Sequence, residues 1–143
     1  MTVNQLSVFL ENKPGQLAEL TNIFSAHGIS MRALSMADTR DYGIARIMVD
    51  NPFDALLLLK DRGWIAKLTP VLAVSMEDKA GALDQILNVL AKAEVDLEYV
   101  YAFLTHKPGT ACLVVRTADM DAADKALKAA GIALIPQDQL YKL

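Results

Sequence analysis

Residues 10 to 17 read LENKPGQL and residues 76 to 83 read MEDKAGAL, so an acidic residue, a lysine and a glycine recur in one loop pattern. Each loop follows a short run rich in branched apolar residues and precedes a stretch with helical periodicity. An offset of 66 residues aligns the loops and later positions as well, which predicts an internal duplication. The aligned pairs include Leu17 with Leu83, Ile23 with Val89, Ile29 with Val95, Gly43 with Gly109 and, after an insertion of two residues, Gly63 with Gly131.

Each copy has the same predicted order of elements: strand, helix, hairpin, helix and closing strand. This βαββαβ order is that of a ferredoxin-like α+β fold, in which an antiparallel sheet carries both helices on one face. The sequence therefore predicts two tandem units, a first domain over residues 1–69 and a second over residues 70–143. The predicted strands are 5–10, 29–39, 44–49 and 64–68 in the first copy, and 71–76, 95–105, 110–116 and 132–136 in the second.

The hairpin strands have apolar side chains at both odd and even positions, and therefore on both faces of the sheet. In the second copy Tyr99, Tyr101 and Phe103 share one face, and Val100 and Leu104 share the other. A strand that is apolar on both sides is normally covered on both sides, whereas the helices cover only one. The second face is expected to meet another sheet, the partner copy or a second chain, and a homodimer is predicted.

The repeated loop lies where a strand gives way to a helix. The first N–H groups of a helix have no partner within it, and the helix dipole is positive there, so such a corner suits an anion. Gly15 and Gly81 allow close approach or a positive φ, although they could equally serve only to close the turn. Asn12 and Asp78 offer oxygens to an ammonium group, but residues of this kind also satisfy local backbone N–H groups. Both alternatives stay open.

The βαββαβ order together with LENKPGQL resembles the ACT domain, a regulatory module that binds amino acids and other small metabolites. The resemblance covers nearly the whole chain as two copies, and the first copy matches better. It implies a ligand site between two neighbouring domains, formed by the strand-to-helix loop of one and the start of the second strand. The implied residues are Leu10, Glu11, Asn12, Pro14, Gly15, Gln16, Leu17, Ser30 and Met31 in the first copy, and Met76, Glu77, Asp78, Gly81, Ala82, Leu83, Asp96 and Leu97 in the second.

Two departures from the family bear on the ligand. Serine-binding relatives have a histidine at the start of the loop and an asparagine on the second strand, where this chain has Leu10 and Ser30. Leu10 favours an apolar or aromatic ligand side chain instead. The second copy has Ala80 in place of Pro14 and a carboxylate at Asp96, so its site is altered or lost.

Composition and charge exclude several classes of function. The chain is 53% hydrophobic and 22% charged, as expected of a folded domain, and its net charge of −3 argues against nucleic acid. The single cysteine, Cys112, and the lack of a long apolar run predict a cytoplasmic protein without a membrane partner. His27 and His106 have no ligand or catalytic partner at a suitable spacing, so neither a metal, a cofactor nor an enzyme activity is predicted.

The predicted function is therefore amino-acid-dependent regulation, exerted on an enzyme partner in trans. The alternatives are a module that assembles through its sheets without a ligand, and a small phosphate-handling enzyme of acylphosphatase-like topology.

Overall fold

The computed structural model describes residues 1–38, 41–140 and 142–143, and Thr39, at the end of one predicted strand, lies outside them. Residues group into a first unit, Asn4–Thr69, and a second unit, Pro70–Leu143 with Met1–Val3. The elements are β1 (Val3–Glu11), α1 (Gln16–Ala26), β2 (Met31–Asp38), β3 (Tyr42–Val49), α2 (Pro52–Asp61), β4 (Ala66–Glu77), α3 (Ala82–Lys92), β5 (Leu97–Leu104), β6 (Thr110–Thr117), α4 (Met120–Ala129) and α5 (Gln137–Leu140).

The first unit places its strands in the order β2-β3-β1, with both pairs antiparallel. The N–H of Phe9 donates to the carbonyl of Ile65 over 2.9 Å, so the segment leading into β4 lies beside β1. One face of this sheet packs on both helices, because side chains from β1 and β3 share a buried core with Leu20 and Phe24 of α1 and Leu59 of α2. The predicted α+β fold is confirmed in this unit.

The second unit repeats the arrangement with the strand order β4-β6-β5. Its core joins Leu72 and Val74 of β4 to Ile86 and Leu90 of α3 and Leu127 of α4. On the other face of the same sheet Cys112 and Val114 are also fully buried. The expectation that this sheet is covered on both faces is therefore correct for its central strand, β6, but wrong for β5, where Val100 and Leu104 are exposed.

Three of the predicted strands differ from the structure. Residues 64–68 and 71–76 were expected as separate strands, but β4 runs unbroken through Pro70, whose fixed φ suits an extended chain. The predicted closing strand at residues 132–136 is reduced to a single bridge, between Val74 and Leu134. Pro136 explains this difference, because it has no N–H to continue the ladder, and the short helix α5 follows at once.

The helices end in a common way. After α1, α2 and α4 a glycine adopts a positive φ, of +66° at Gly28, +80° at Gly63 and +74° at Gly131. The next N–H reaches back to the helix, as from Trp64 to the carbonyl of Leu59 over 3.0 Å, which is the Schellman arrangement. After α3 the same position is held by Glu94, the only described residue other than glycine with a positive φ, of 56°.

Replacing Glu94 by glycine is expected to raise the free energy of unfolding by about 0.5–1 kcal/mol. A left-handed conformation costs a residue with a Cβ about 1–2 kcal/mol, and the greater chain entropy of glycine offsets about half of that. Urea denaturation of the two proteins measures the difference. Gly28→Ala is the matched reverse change, since a Cβ there has nothing within 4 Å and would meet only the backbone penalty. Equal or lower stability of Glu94→Gly would contradict the assignment of strain.

Candidate functional site

The repeated loop has the same backbone in both units. Gly15 precedes α1 with a φ of +86°, Gly81 precedes α3 with a φ of +89°, and neither helix receives a side-chain cap at that position. A helix is usually capped there by a serine, threonine, aspartate or asparagine in an extended conformation. Here the chain instead turns through a left-handed glycine, with nothing within 4 Å of the place where a Cβ would stand.

This geometry leaves backbone donors at the start of α1. The N–H of Gln16 points to the carbonyl of Lys13 at 3.5 Å, and the N–H of Glu19 donates to the carbonyl of Gly15 over 2.9 Å. The N–H groups of Leu17 and Ala18, between them, have no acceptor among the residues that the structure describes. Unpaired donors at a positive helix end attract an anion, and carboxylate is a fitting one.

The side chains around the loop are partly engaged with one another. The amide nitrogen of Asn12 donates to a carboxylate oxygen of Asp38 over 2.9 Å, which ties the loop to the end of β2. Its amide oxygen lies 3.5 Å from the place where a Cβ on Gly43 would stand, so a glycine at position 43 leaves it room. Lys13 is paired with Glu11 at 3.1 Å, and Lys79 is likewise paired with Glu77. These lysines therefore face a carboxylate already.

The two parts of the implied site lie apart within each unit. Leu10 pairs with Gly43 at one end of the first sheet, whereas Met31 pairs with Val49 at the other end. The length of β2 separates these ends by roughly 20 Å at about 3.3 Å per residue. Ser30, next to Met31, is held by the carboxylate of Asp50 through its N–H over 3.3 Å. One unit alone does not bring the loop and the start of β2 together.

The second unit shows the same separation. Glu77 pairs with Thr110 at one end of its sheet, and Leu97 pairs with Thr117 at the other. The carbonyl of Asp96 accepts a hydrogen bond from the hydroxyl of Thr117 over 2.5 Å. Asp78, in the loop, uses its N–H to reach the carbonyl of Gly109 over 2.9 Å.

Behind each loop lies a cavity that sequence reasoning missed. The first-unit cavity, of about 530 Å³, opens between the end of β1, the first turn of α1 and the connection from α2 to β4. Of the predicted residues it contains Leu10, Glu11 and Gln16. Its other walls are Phe9, Glu19, Tyr42, Arg62, Gly63, Trp64 and Ile65.

The second-unit cavity, of about 260 Å³, occupies the equivalent place. It contains Met76, Glu77 and Ala82 of the predicted residues. The repeat of Gly63 at Gly131 was visible in the sequence, but its position beside the loop was not, because the two segments lie some fifty residues apart in the chain. The walls also include Ser75, Lys79, Gln85, Ile86, Gly131, Ile132 and Ala133.

No group of three or more histidine, cysteine, aspartate or glutamate side chains in residues 1–38, 41–140 and 142–143 is placed to hold a metal ion. Within the same residues no helix has the length and apolar character needed to cross a bilayer.

The loop, the repeated fold and the sequence agree with one family. The family model described as an ACT domain pair matches residues 1–143, and the chain belongs to that family. The crystal structure of protein BT0572 from Bacteroides thetaiotaomicron superposes with a TM-score of 0.91 and 36% identity, over 100% of this chain and 98% of that one. The regulatory subunit of aspartate kinase from Thermus thermophilus shares the fold, with a TM-score of 0.66 and 17% identity over 91% and 92% of the two chains.

Curated relatives match over a shorter stretch. The small subunit of acetolactate synthase isozyme 3 from Escherichia coli is 34% identical over 70 residues, which are 49% of this chain and 43% of that subunit. The acetolactate synthase small subunit from Buchnera aphidicola is 31% identical over 75 residues, or 52% and 47% of the two chains. The matches thus span less than half the length of these relatives.

Proposed function

We propose that this chain is a regulatory module that binds a small amino acid at the Gly15 loop and acts on an enzyme in trans. The observation that carries the proposal is the pair of N–H groups, of Leu17 and Ala18, left without an acceptor among the described residues by a glycine with a positive φ. They would receive the ligand carboxylate, and the side-chain oxygen of Asn12 would face its ammonium group. Membership of the ACT domain pair family supports a ligand-binding regulatory role.

A second copy of the chain is proposed to complete the site. Ser30 and Met31 lie at the far end of the sheet from the loop of their own unit, so they can meet a loop only on a neighbouring domain. The exposed apolar side chains of β2, Leu34 and Met36, favour such an association, because contiguous apolar surface on a protein commonly marks an interface. A homodimer is the assembly that this reasoning favours.

The regulated partner is proposed from the names of the relatives. Those that match the sequence are small subunits of acetolactate synthase, and a structural neighbour is a regulatory subunit of aspartate kinase. A separate catalytic subunit that responds to the bound amino acid is therefore the partner proposed here, and no catalytic role is proposed for the chain itself. Regulation requires only that the ligand prefer one packing of the assembly over another.

Thermal denaturation in the presence of each of the twenty amino acids tests the ligand. A ligand at a hundred times its dissociation constant adds about 2.7 kcal/mol, which for a chain of this length raises Tm by roughly 5 °C or more. We expect Gly15→Val to remove that response, because a branched side chain disfavours the φ of +86° that leaves the N–H groups of Leu17 and Ala18 unpaired. Gly28→Val, at the other end of α1, has the same backbone penalty and also has nothing within 4 Å of its Cβ. This variant should keep the response to the amino acid.

The rival is a module that assembles through its sheets without a ligand. No response to any amino acid by the unmodified protein would favour that rival. A response retained by Gly15→Val would place the ligand elsewhere on the chain.

A further inference from the structure

We propose that the first-unit cavity is a second ligand site, for a small zwitterion that carries an aromatic ring. This site lies within one unit and does not depend on a second copy or on the N–H groups of the Gly15 loop. Its volume of about 530 Å³ falls in the usual range for small-molecule sites, roughly 300–1,000 Å³.

The backbone places an aromatic wall at the cavity. Arg62 ends α2, Gly63 turns the chain with a positive φ, and Trp64 is fixed by its N–H bond to the carbonyl of Leu59. Trp64 is half-buried and packs against the core of the first unit, so its ring has a defined position. Phe9 and Tyr42 line the same cavity, and their ring centroids lie 5.7 Å apart with the ring planes inclined at 46°. Three aromatic side chains on one cavity favour a planar apolar ligand group.

Two unpaired charges of opposite sign line the same cavity. Glu19 and Arg62 both face it, and neither forms an ion pair with any residue that the structure describes. Glu11 on the rim differs, because Lys13 already lies 3.1 Å from it. A carboxylate and a guanidinium beside aromatic walls complement a ligand with an ammonium group, a carboxylate and a ring.

His27 positions the guanidinium. Its Nδ1 lies 2.9 Å from the carbonyl of Ile23, and since a carbonyl can only accept, the hydrogen is on Nδ1. The other ring nitrogen, Nε2, lies 3.4 Å from Nη2 of Arg62, and because a guanidinium can only donate, Nε2 is the acceptor of that contact. This contact uses one edge of the guanidinium and leaves its other donors to the ligand.

The second-unit cavity is a natural control, because it has the same place in the fold without this chemistry. Where the first unit has Phe9, Glu19 and Trp64, the second has Ser75, Gln85 and Ile132, and its volume is about half as large. The position of Arg62 corresponds to Ala130. Both copies therefore have a cavity at this place, but different residues line it. This difference favours a specific ligand in the first-unit cavity.

The fluorescence of Trp64 tests the proposal directly, because it is the only tryptophan of the chain. L-phenylalanine is the probe, compared with phenethylamine, which lacks the carboxylate, 3-phenylpropionate, which lacks the ammonium group, and L-alanine, which lacks the ring. We expect saturable quenching or a spectral shift with phenylalanine, and at least tenfold weaker binding of the other three.

Charge-neutral variants assign the contacts. Arg62→Gln and Glu19→Gln should each weaken phenylalanine binding about tenfold, with circular dichroism confirming that both remain folded. Arg62→Gln should leave phenethylamine binding unchanged, and Glu19→Gln should leave 3-phenylpropionate binding unchanged. Asp61→Asn is the control, because Asp61 is an exposed carboxylate next to Arg62 that does not line the cavity, and this variant should bind phenylalanine as the unmodified protein does.

Different experimental results would contradict the loop site and the cavity site. No fluorescence change with phenylalanine, or equal binding of phenethylamine, would overturn this second site. Phenylalanine binding lost in Gly15→Val but kept in Arg62→Gln would also overturn it, while supporting the loop site. Binding kept in Gly15→Val and weakened in Arg62→Gln would support the cavity whatever the loop binds.

Discussion

Leu59→Ala is expected to lower the free energy of unfolding by about 2–5 kcal/mol, the range for deleting a fully buried leucine side chain. Leu59 is completely buried and belongs to the core that joins α2 to the sheet of the first unit. Small domains have total stabilities of only about 5–15 kcal/mol, so this loss would shift the midpoint of urea denaturation strongly. The fluorescence of Trp64, which packs against the same core, reports the transition.

The matched control is Leu57→Ala on the same helix. Leu57 is 60% exposed, so its truncation removes little buried surface and should change stability by less than about 0.5 kcal/mol. Both variants keep the main chain, including the Leu59 carbonyl that accepts from Arg62 and Trp64. Equal losses in the two variants would contradict the assignment of the buried face of α2.

Most of the fold was predictable because short sequence patterns determine its helices and strands, and these patterns occur in both copies. The strand patterns, the helical periodicity after each loop and the repeated glycines each act within a few residues, and the structure confirms the helices and most of the strands that they predict. The closing strand of the second unit was predicted wrongly, since Pro136 removes the donor that a ladder needs there. Residues 64–68 and 71–76 were predicted as two strands, and the structure joins most of them in one strand, β4, because the fixed φ of Pro70 suits an extended chain.

The candidate site was less predictable, because it depends on segments that meet only in three dimensions. The loop around Gly15 could be found from its sequence and its position before a helix. Arg62 and Trp64 reach the cavity because the end of α2 turns back beside β1, and no spacing in the sequence records that approach. Ser30 was assigned with the loop by resemblance, and the register of β2 shows that one unit holds them at opposite ends.

Cys112 is expected to react with a thiol-alkylating reagent at least a thousandfold more slowly in the folded protein than in urea. Its side chain is fully buried, and burial raises the pKa of the thiol from 9.0 to about 12, outweighing the opposite effect of a hydrogen bond with the backbone of Val74. The thiolate is the nucleophile, and a rise of about three pKa units lowers its fraction near pH 8 about a thousandfold. Iodoacetamide labelling followed by mass spectrometry, with and without urea, measures the ratio.

The same pKa difference predicts a loss of stability at high pH. The folded state holds the proton more tightly than the unfolded state, so this contribution is complete below pH 9 and is lost as the pH rises from 9 towards 12. At pH 10 the loss attributable to this thiol is about 1 kcal/mol. Cys112→Ala removes the titrating group, so its stability relative to the unmodified protein should rise by that amount between pH 8 and pH 10. Parallel pH profiles for the two proteins, or rapid labelling of the folded chain, would show that the thiol is accessible to water.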